Sequence, residues 1–265
     1  MTVKKPHEID DMRISGKMLA QILTMLCDTT VPGLTPKELA LSARDELRKL
    51  GGSPTFLGYH GFPDVICISV NEQVQHAIPG ARPLQGGDVV NFDFGVTYNG
   101  MITDAGTTIV VGAKPTPDQI RLLKGTELAL QTALLTVRAG VRVGDISNAI
   151  EKVLKAHSLG IVRELVGHGV GYRLHEDPEI PNYGKAGTGP LLKSGMTIAI
   201  EPIATLGSPD IYEEKDGWTL SSWDGSQSAQ FEHTLLVTDD GCEILTTTHE
   251  VKDLLDNKLW RYTNS

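Results

Sequence analysis

At 265 residues, 40% of them hydrophobic and 22% charged, the chain is long enough to bury a full core and is neither fibrous nor low in complexity. A formal net charge of −9 argues against nucleic acid or an anionic membrane surface as the main partner. Cys27, Cys67 and Cys242 are odd in number and form no C-x-x-C pair, which excludes a disulfide framework and a zinc knuckle and implies a reducing compartment.

The opening segment Met1-Thr2-Val3-Lys4-Lys5-Pro6-His7 leads into a polar amphipathic stretch without the apolar region of a signal peptide. No run of 18 apolar residues occurs either, so the sequence reads as cytoplasmic. Leucine and alanine at helical spacing predict a helix over about 8–28. Thr35-Pro36-Lys37-Glu38 then places Thr at an N-cap, Pro in the first turn and Glu three residues on, which opens a helix over about 36–50. Strand-like runs follow at 65–70, 89–98 and 101–111. Between the last two stands Asn99-Gly100, a strong hairpin signal. With that pair as the loop, Tyr98 faces Met101, Gly95 faces Asp104, and Asp93 shares a face with Asp104 as its diagonal neighbour, roughly 7–8 Å away at the backbone. Gly95, lacking a side chain, is expected to leave room for ions beside the two carboxylates.

Thr116-Pro117-Asp118-Gln119 repeats the capping pattern and opens a helix over about 117–138; another runs over about 145–157. Gly167-His168-Gly169-Val170-Gly171-Tyr172-Arg173-Leu174-His175 is dense in glycine, which implies a backbone passing close to something or adopting positive φ. Further strand-like runs cover 197–204 and 229–237, and 205–228, carrying Trp218 and Trp223, reads as an inserted loop rich in glycine, serine and charge. The fold class is α+β.

A weak internal repeat relates the two parts of the chain. Pro32 to Leu39 resembles Ala139 to Ile146, and Gly87 to Asp93 resembles Gly195 to Glu201, so Asp93 and Glu201 hold equivalent positions. Two such halves are expected to offer carboxylates from mid-strand across a pseudo-twofold axis. Asp93, Asp104, His168, Glu201 and Glu232 all lie in or beside apolar strand-like runs. A buried, unpaired carboxylate is costly and neighbouring ones raise each other's pKa, a conflict that cations remove. The pattern is that of a two-metal site.

Val70-Asn71-Glu72 leading to His76, the Asp93 to Asp104 spacing, Gly167 to Gly171 with His175, Ile200-Glu201-Pro202, and Ser228-Ala229-Gln230-Phe231-Glu232-His233-Thr234 together resemble a type I methionine aminopeptidase over about 7–247. The resemblance implies a pita-bread fold in a single catalytic domain, 1–265, with antiparallel sheets flanked by helices in two pseudo-symmetric halves, about 30–112 and 138–247. It implies two divalent ions (Co, Mn, Fe or Zn), with Asp93 and Glu232 bridging, Asp104 on one ion, and His168 with Glu201 on the other. Glu201 then relays a proton, and His76 and His175 hold the substrate and its developing charge. Tyr59, Phe62, Cys67, Leu174 and Trp218 are implied around the methionine side chain, with Phe62 standing where a tyrosine is frequent and Leu174 where an aromatic residue is frequent. Taken alone, Cys67 reads as a buried structural residue.

The implied partners are peptides and nascent chains with N-terminal methionine. A ribosome contact is left open, and the acidic balance does not favour it as a strong one. A monomer is the default. Two other readings share the fold: an Xaa-Pro aminopeptidase or prolidase, whose usual large N-terminal domain has no room before Asp93, and a partner-binding module without chemistry, which has no reason to keep all five ligands. No H-E-x-x-H or G-x-S-x-G is present.

Overall fold

The structure is a computed structural model that describes residues 1–247; residues 248–265 of the expected domain lie outside the described residues. In chain order the elements are α1 (Pro6–Thr29), α2 (Pro36–Leu50), β1 (Ser53–Pro54), β2 (Cys67–Val70), β3 (Gln73–Gln75), β4 (Val89–Tyr98), β5 (Met101–Val110), α3 (Pro117–Thr136), α4 (Val143–Ala156), β6 (Gly160–Ile161), β7 (Val166–Gly169), β8 (Glu176–Pro181), β9 (Thr197–Ile200), β10 (Ile203–Thr205), β11 (Ile211–Glu213), β12 (Leu220–Ser222), β13 (Ser228–Gln230), β14 (His233–Val237) and β15 (Cys242–Ile244). Among the described residues, no helix is long and apolar enough to cross a membrane.

The helix starts follow their caps. Thr35 Oγ1 accepts the Glu38 amide while Glu38 accepts the Thr35 amide, and Thr116 and Gln119 repeat the exchange. Helix α2 stops at Gly51, whose φ of 83° is the left-handed C-terminal conformation that glycine adopts freely.

The first sheet places β4 between β1 and β2, with β5 also paired to β4, and every pairing is antiparallel. The Asn99-Gly100 hairpin has the expected register, Tyr98 against Met101 and Gly95 against Asp104. Strand alternation then divides the sheet into two faces of opposite character. Val90, Phe92, Phe94 and Val96 pack with Leu19, Ile22 and Leu26 of α1 and Leu39, Ala43 and Leu47 of α2. Each fully buried phenylalanine contributes about 1.5–3 kcal/mol relative to exposure. The opposite face carries Asn91, Asp93 and Gly95 of β4 against Thr108, Gly106 and Asp104 of β5.

A second sheet, ordered β15-β14-β9-β7-β8, buries Ile198, Ile200, Leu235 and Val237 against Leu122, Leu130 and Ala133 of α3 and Ile146, Ile150 and Leu154 of α4. The two sheets are joined beside the carboxylates. Glu232 N donates to Gly106 O at 2.9 Å, and the Thr234 hydroxyl donates to Asp104 O at 2.7 Å while accepting from Asp104 N at 2.9 Å.

Two expectations need correction. The runs 197–204 and 229–237 are not continuous strands: the first breaks at Glu201-Pro202 and the second at Phe231-Glu232. At these breaks the chains change sheets together, β9 pairing β14 and then β10 pairing β13. Proline has no amide to continue a ladder, and Glu201 therefore projects from a strand end, whereas Asp93 is mid-strand. Nor is 205–228 only a loop. Strands β11 and β12 form a hairpin within it, and β12 pairs with β3, the strand that leads into His76.

Candidate metal centre and substrate pocket

Five side chains from three kinds of local structure converge between the sheets. Asp93 and Asp104 come from adjacent strands of the hairpin, with their carboxyl groups in hydrogen-bonding reach of each other. His168 comes from β7, where glycines on either side are required by close packing. A Cβ on Gly167 would lie 2.5 Å from Ala199 O, and one on Gly169 would lie 2.3 Å from Asp177 O. Glu201 and Glu232 come from the two strand breaks. His168 Nε2 stands 3.5 Å from Glu201 and 4.0 Å from Asp104. Potential ligand atoms of Asp104, His168 and Glu232 lie within 4.8 Å of one another.

The electrostatics of this cluster are those of a site built around positive charge. Asp93 Oδ1, Asp104 Oδ1 and Glu232 Oε1 are buried and have no hydrogen-bond partner. Burial raises the pKa of Asp93 to about 7. Burial, and then the neighbouring carboxylates, push Asp104, Glu201 and Glu232 well above the usual carboxylate range. His168 is pulled down to about 3 by burial and by nearby His175, so its ring is neutral. Its Nδ1 lies 2.9 Å from Gly169 O, a carbonyl that only accepts, which puts the ring proton on Nδ1 and leaves the Nε2 lone pair facing the carboxylates. Unpartnered acceptor atoms thus face one another across the cluster, and a divalent cation fits that donor set.

Supporting polar residues went unassigned from sequence. Gly106, directly opposite Asp93, has no side chain because Gln230 occupies its space; a Cβ there would stand 2.3 Å from Gln230 Oε1. Gln230 Nε2 donates to Glu232 at 3.0 Å, its Oε1 accepts from Asn91 at 3.0 Å, and its side chain lowers the pKa of Asp93 and Glu201 by hydrogen bonding. Gly106→Ala is therefore expected to weaken Mn²⁺ binding about 10- to 100-fold in titration calorimetry, the scale for partners that orient metal ligands. Unchanged affinity would remove Gln230 from this role.

His175 borders the metal-ligand candidates through His168, and His76 lies within electrostatic reach of His175. The His175 ring meets His168 edge-on at 4.4 Å between centroids, and its Nδ1 is 3.0 Å from the Tyr59 hydroxyl. His76 follows β3 in a left-handed backbone conformation, φ 58°, a strained choice for a residue with a side chain. Burial, then repulsion from His175, lowers its pKa to about 4; burial, then His60, also lowers that of His175.

Beside these groups lies an apolar cluster of Phe56, Phe62, Cys67 and Leu174, with Tyr59, Ile78, Ile102 and Trp218 packed against it. All five expected pocket residues are in it. Cys67 pairs directly with Asp93 across β2 and β4, and its thiol pKa is raised, first by burial and then by the neighbouring carboxylates. Trp218 is presented by the β11–β12 turn, where Asp216 accepts from the backbone of Trp218 and Thr219, and its ring meets Phe62 edge-on at 5.1 Å. Phe56 was missed, and its presence corrects the expectation for Gly95. The space opposite Asp104 is filled by the Phe56 ring, 2.7 Å from where a Cβ on Gly95 would lie, so this glycine makes room for that ring rather than for ions.

The chain matches metallopeptidase family M24 over residues 10–239. It is 41% identical over 244 residues to the methionine aminopeptidase of Clostridium perfringens, covering 92% of this chain and 98% of that protein. Among solved structures it is similar to the methionine aminopeptidase of Thermotoga maritima, with a TM-score of 0.91 and 39% identity over 93% of this chain and 99% of that one. A prolidase from Pyrococcus furiosus shares the fold, with a TM-score of 0.76 at 23% identity over 94% of this chain and 66% of that one. The arrangement of two helix-backed antiparallel sheets around buried carboxylates, with these likenesses along nearly the whole chain, makes this protein a member of metallopeptidase family M24, of the methionine aminopeptidase type and the pita-bread fold.

Proposed function

We infer that the protein hydrolyses the first peptide bond of peptides and nascent chains that begin with methionine, and that Asp93, Asp104, His168, Glu201 and Glu232 hold two divalent ions for this purpose. The observation that carries the reading is the convergence of unpartnered carboxylate oxygens with the bare Nε2 of a neutral imidazole. When bound, divalent ions supply Lewis acidity towards a carbonyl and acidify a water nucleophile.

The chain's own residues divide the remaining work. Phe56, Phe62, Cys67, Leu174 and Trp218 enclose an unbranched thioether, for which aromatic rings and soft sulfur are well matched. Glu201, at the strand break beside His168, takes a proton from the attacking water. It passes that proton to the leaving amino group as the C–N bond breaks. His76 and His175, neutral at physiological pH because their pKa values are depressed, donate N–H groups to the substrate and to the oxyanion that develops on its carbonyl. The hydrogen bond between the Tyr59 hydroxyl and His175 Nδ1 orients the ring and leaves Nε2 free to face the substrate.

An oxygen-rich donor set with one imidazole suits Mn²⁺ or Fe²⁺, and Co²⁺ and Zn²⁺ also bind such sets. We place the enzyme in the cytoplasm as a monomer whose ligands come from two pseudo-symmetric halves. Met-Ala and Xaa-Pro peptides, each assayed with Mn²⁺, Fe²⁺, Co²⁺ and Zn²⁺ in turn, test the assignment: free methionine is expected from Met-Ala peptides alone. Preferential cleavage of Xaa-Pro would transfer the protein to the prolidase branch.

A further inference from the structure

The segment Thr2-Val3-Lys4, ahead of α1, packs against the 171–176 turn and the start of β9. Val3 bridges antiparallel to Met196, and Lys4 N donates to Gly195 O at 2.8 Å, which anchors the segment beside the start of β9. The Lys4 side chain is fully buried, with its ammonium 2.9 Å from Glu176 Oε2. The Thr2 hydroxyl bonds to both partners of this pair. The other oxygen of Glu176 accepts the backbone amides of Tyr172 and Arg173 at 2.7 and 3.1 Å. One carboxylate thereby closes the turn that presents Leu174 to the pocket and His175 to the metal centre. Gly171, φ 148°, is shaped to let the lysine pass, since a Cβ there would lie 2.2 Å from Lys4 Cε. From the other side the Tyr172 hydroxyl bonds to Glu8 of α1 at 2.6 Å, and the Lys4 ammonium sits 4.7 Å from the centre of the Tyr172 ring.

A desolvated ammonium facing a carboxylate is a poor source of stability, because removing both charges from water offsets most of their attraction. What this one does is fix geometry. We propose that Lys4 and Thr2 are positioning residues for catalysis: through Glu176 they hold the 171–175 turn so that the His175 ring keeps its edge-on contact with His168 and its hydrogen bond with Tyr59. The proposal rests on the aminopeptidase reading, in which His175 touches the substrate. It makes the amino-terminal segment part of the working site.

The test is a double-mutant cycle between Lys4→Met and His175→Ala on a Met-Ala peptide, with bound metal measured for each variant. Lys4→Met is expected to lower kcat about 10- to 100-fold, the scale for a misplaced catalytic group, with KM changing less than about threefold and metal content unchanged. In the His175→Ala background the same change is expected to cost less than about twofold, because residues acting as one unit are not additive. A native kcat in Lys4→Met, or an equal loss in both backgrounds, overturns the proposal. Should Lys4→Met fail to fold, Thr2→Val at the half-buried rim is read in the same cycle, with a loss expected only where His175 is present; no loss there is equally fatal. Failure of the aminopeptidase reading is a separate result, visible as wild-type protein that releases no methionine.

Discussion

Asp93→Asn is expected to lower kcat/KM by more than about 100-fold, beyond the range for residues that merely orient metal ligands, and to reduce the bound metal in parallel. The same substitution is expected to stabilise the metal-free protein at pH 8. There the buried wild-type carboxyl, with a pKa of about 7 against an ordinary value of 3.8, is largely ionised without a counter-charge. At about 1.4 kcal/mol per pKa unit, the neutral amide relieves a penalty on the order of 4 kcal/mol. Opposite signs in the two states are the signature of a ligand: the variant melts above wild type without metal and gains less from Mn²⁺. Full metal occupancy with native turnover in Asp93→Asn would sink the assignment.

The second large effect is a pH dependence that disappears with metal. A carboxyl whose pKa is raised by folding keeps its proton in the folded state, so its contribution is complete below the unfolded value and is lost as pH rises through the folded one. Asp93, Asp104, Glu201 and Glu232 all shift in this direction. Buried histidines act oppositely. His76, His168 and His233, depressed to about 4, 3 and 4, favour the fold increasingly as pH rises towards their ordinary 6.5. Below pH 6.5 the two sets therefore compete, and above it only the carboxyls remain. The metal-free protein is expected to lose at least about 5 °C in Tm between pH 6.5 and 8, since each carboxyl still protonated in the fold costs about 1.4 kcal/mol per pH unit. With saturating Mn²⁺ the carboxyls are ionised and paired, and the decline should vanish. Differential scanning calorimetry with and without chelator checks this; parallel curves would mean that the cluster does not hold the ions.

The sequence was most legible where local chemistry alone decides structure. Thr35 and Thr116 announced their helices, and Asn99-Gly100 fixed a register that set Asp93 and Asp104 on one face. Five ordered motifs carried the family. Legibility failed where the deciding contact is distant in sequence. Apolar periodicity continues through Glu201-Pro202 and Phe231-Glu232, so it cannot register that both chains change sheets there. Gly95 reads as open space, but Phe56 fills it from 39 positions away, and the Gln230 side chain that needs the space at Gly106 comes from 124 positions away. Nothing local to Thr2 or Lys4 announced a partner at Glu176, about 170 residues on. At Gly95 and Gly171 the small residue was visible and the side chain that needed its space was not.

The Thr234 hydroxyl and the Gly106–Glu232 backbone bond stitch the hairpin to the second sheet using protein atoms alone. The two sheets that carry the carboxylates are thus tied to each other by the polypeptide's own hydrogen bonds. A tie of this kind is expected to keep the carboxylates together while one divalent ion is exchanged for another, which dialysis of the Mn²⁺-loaded protein against Co²⁺ without unfolding would check.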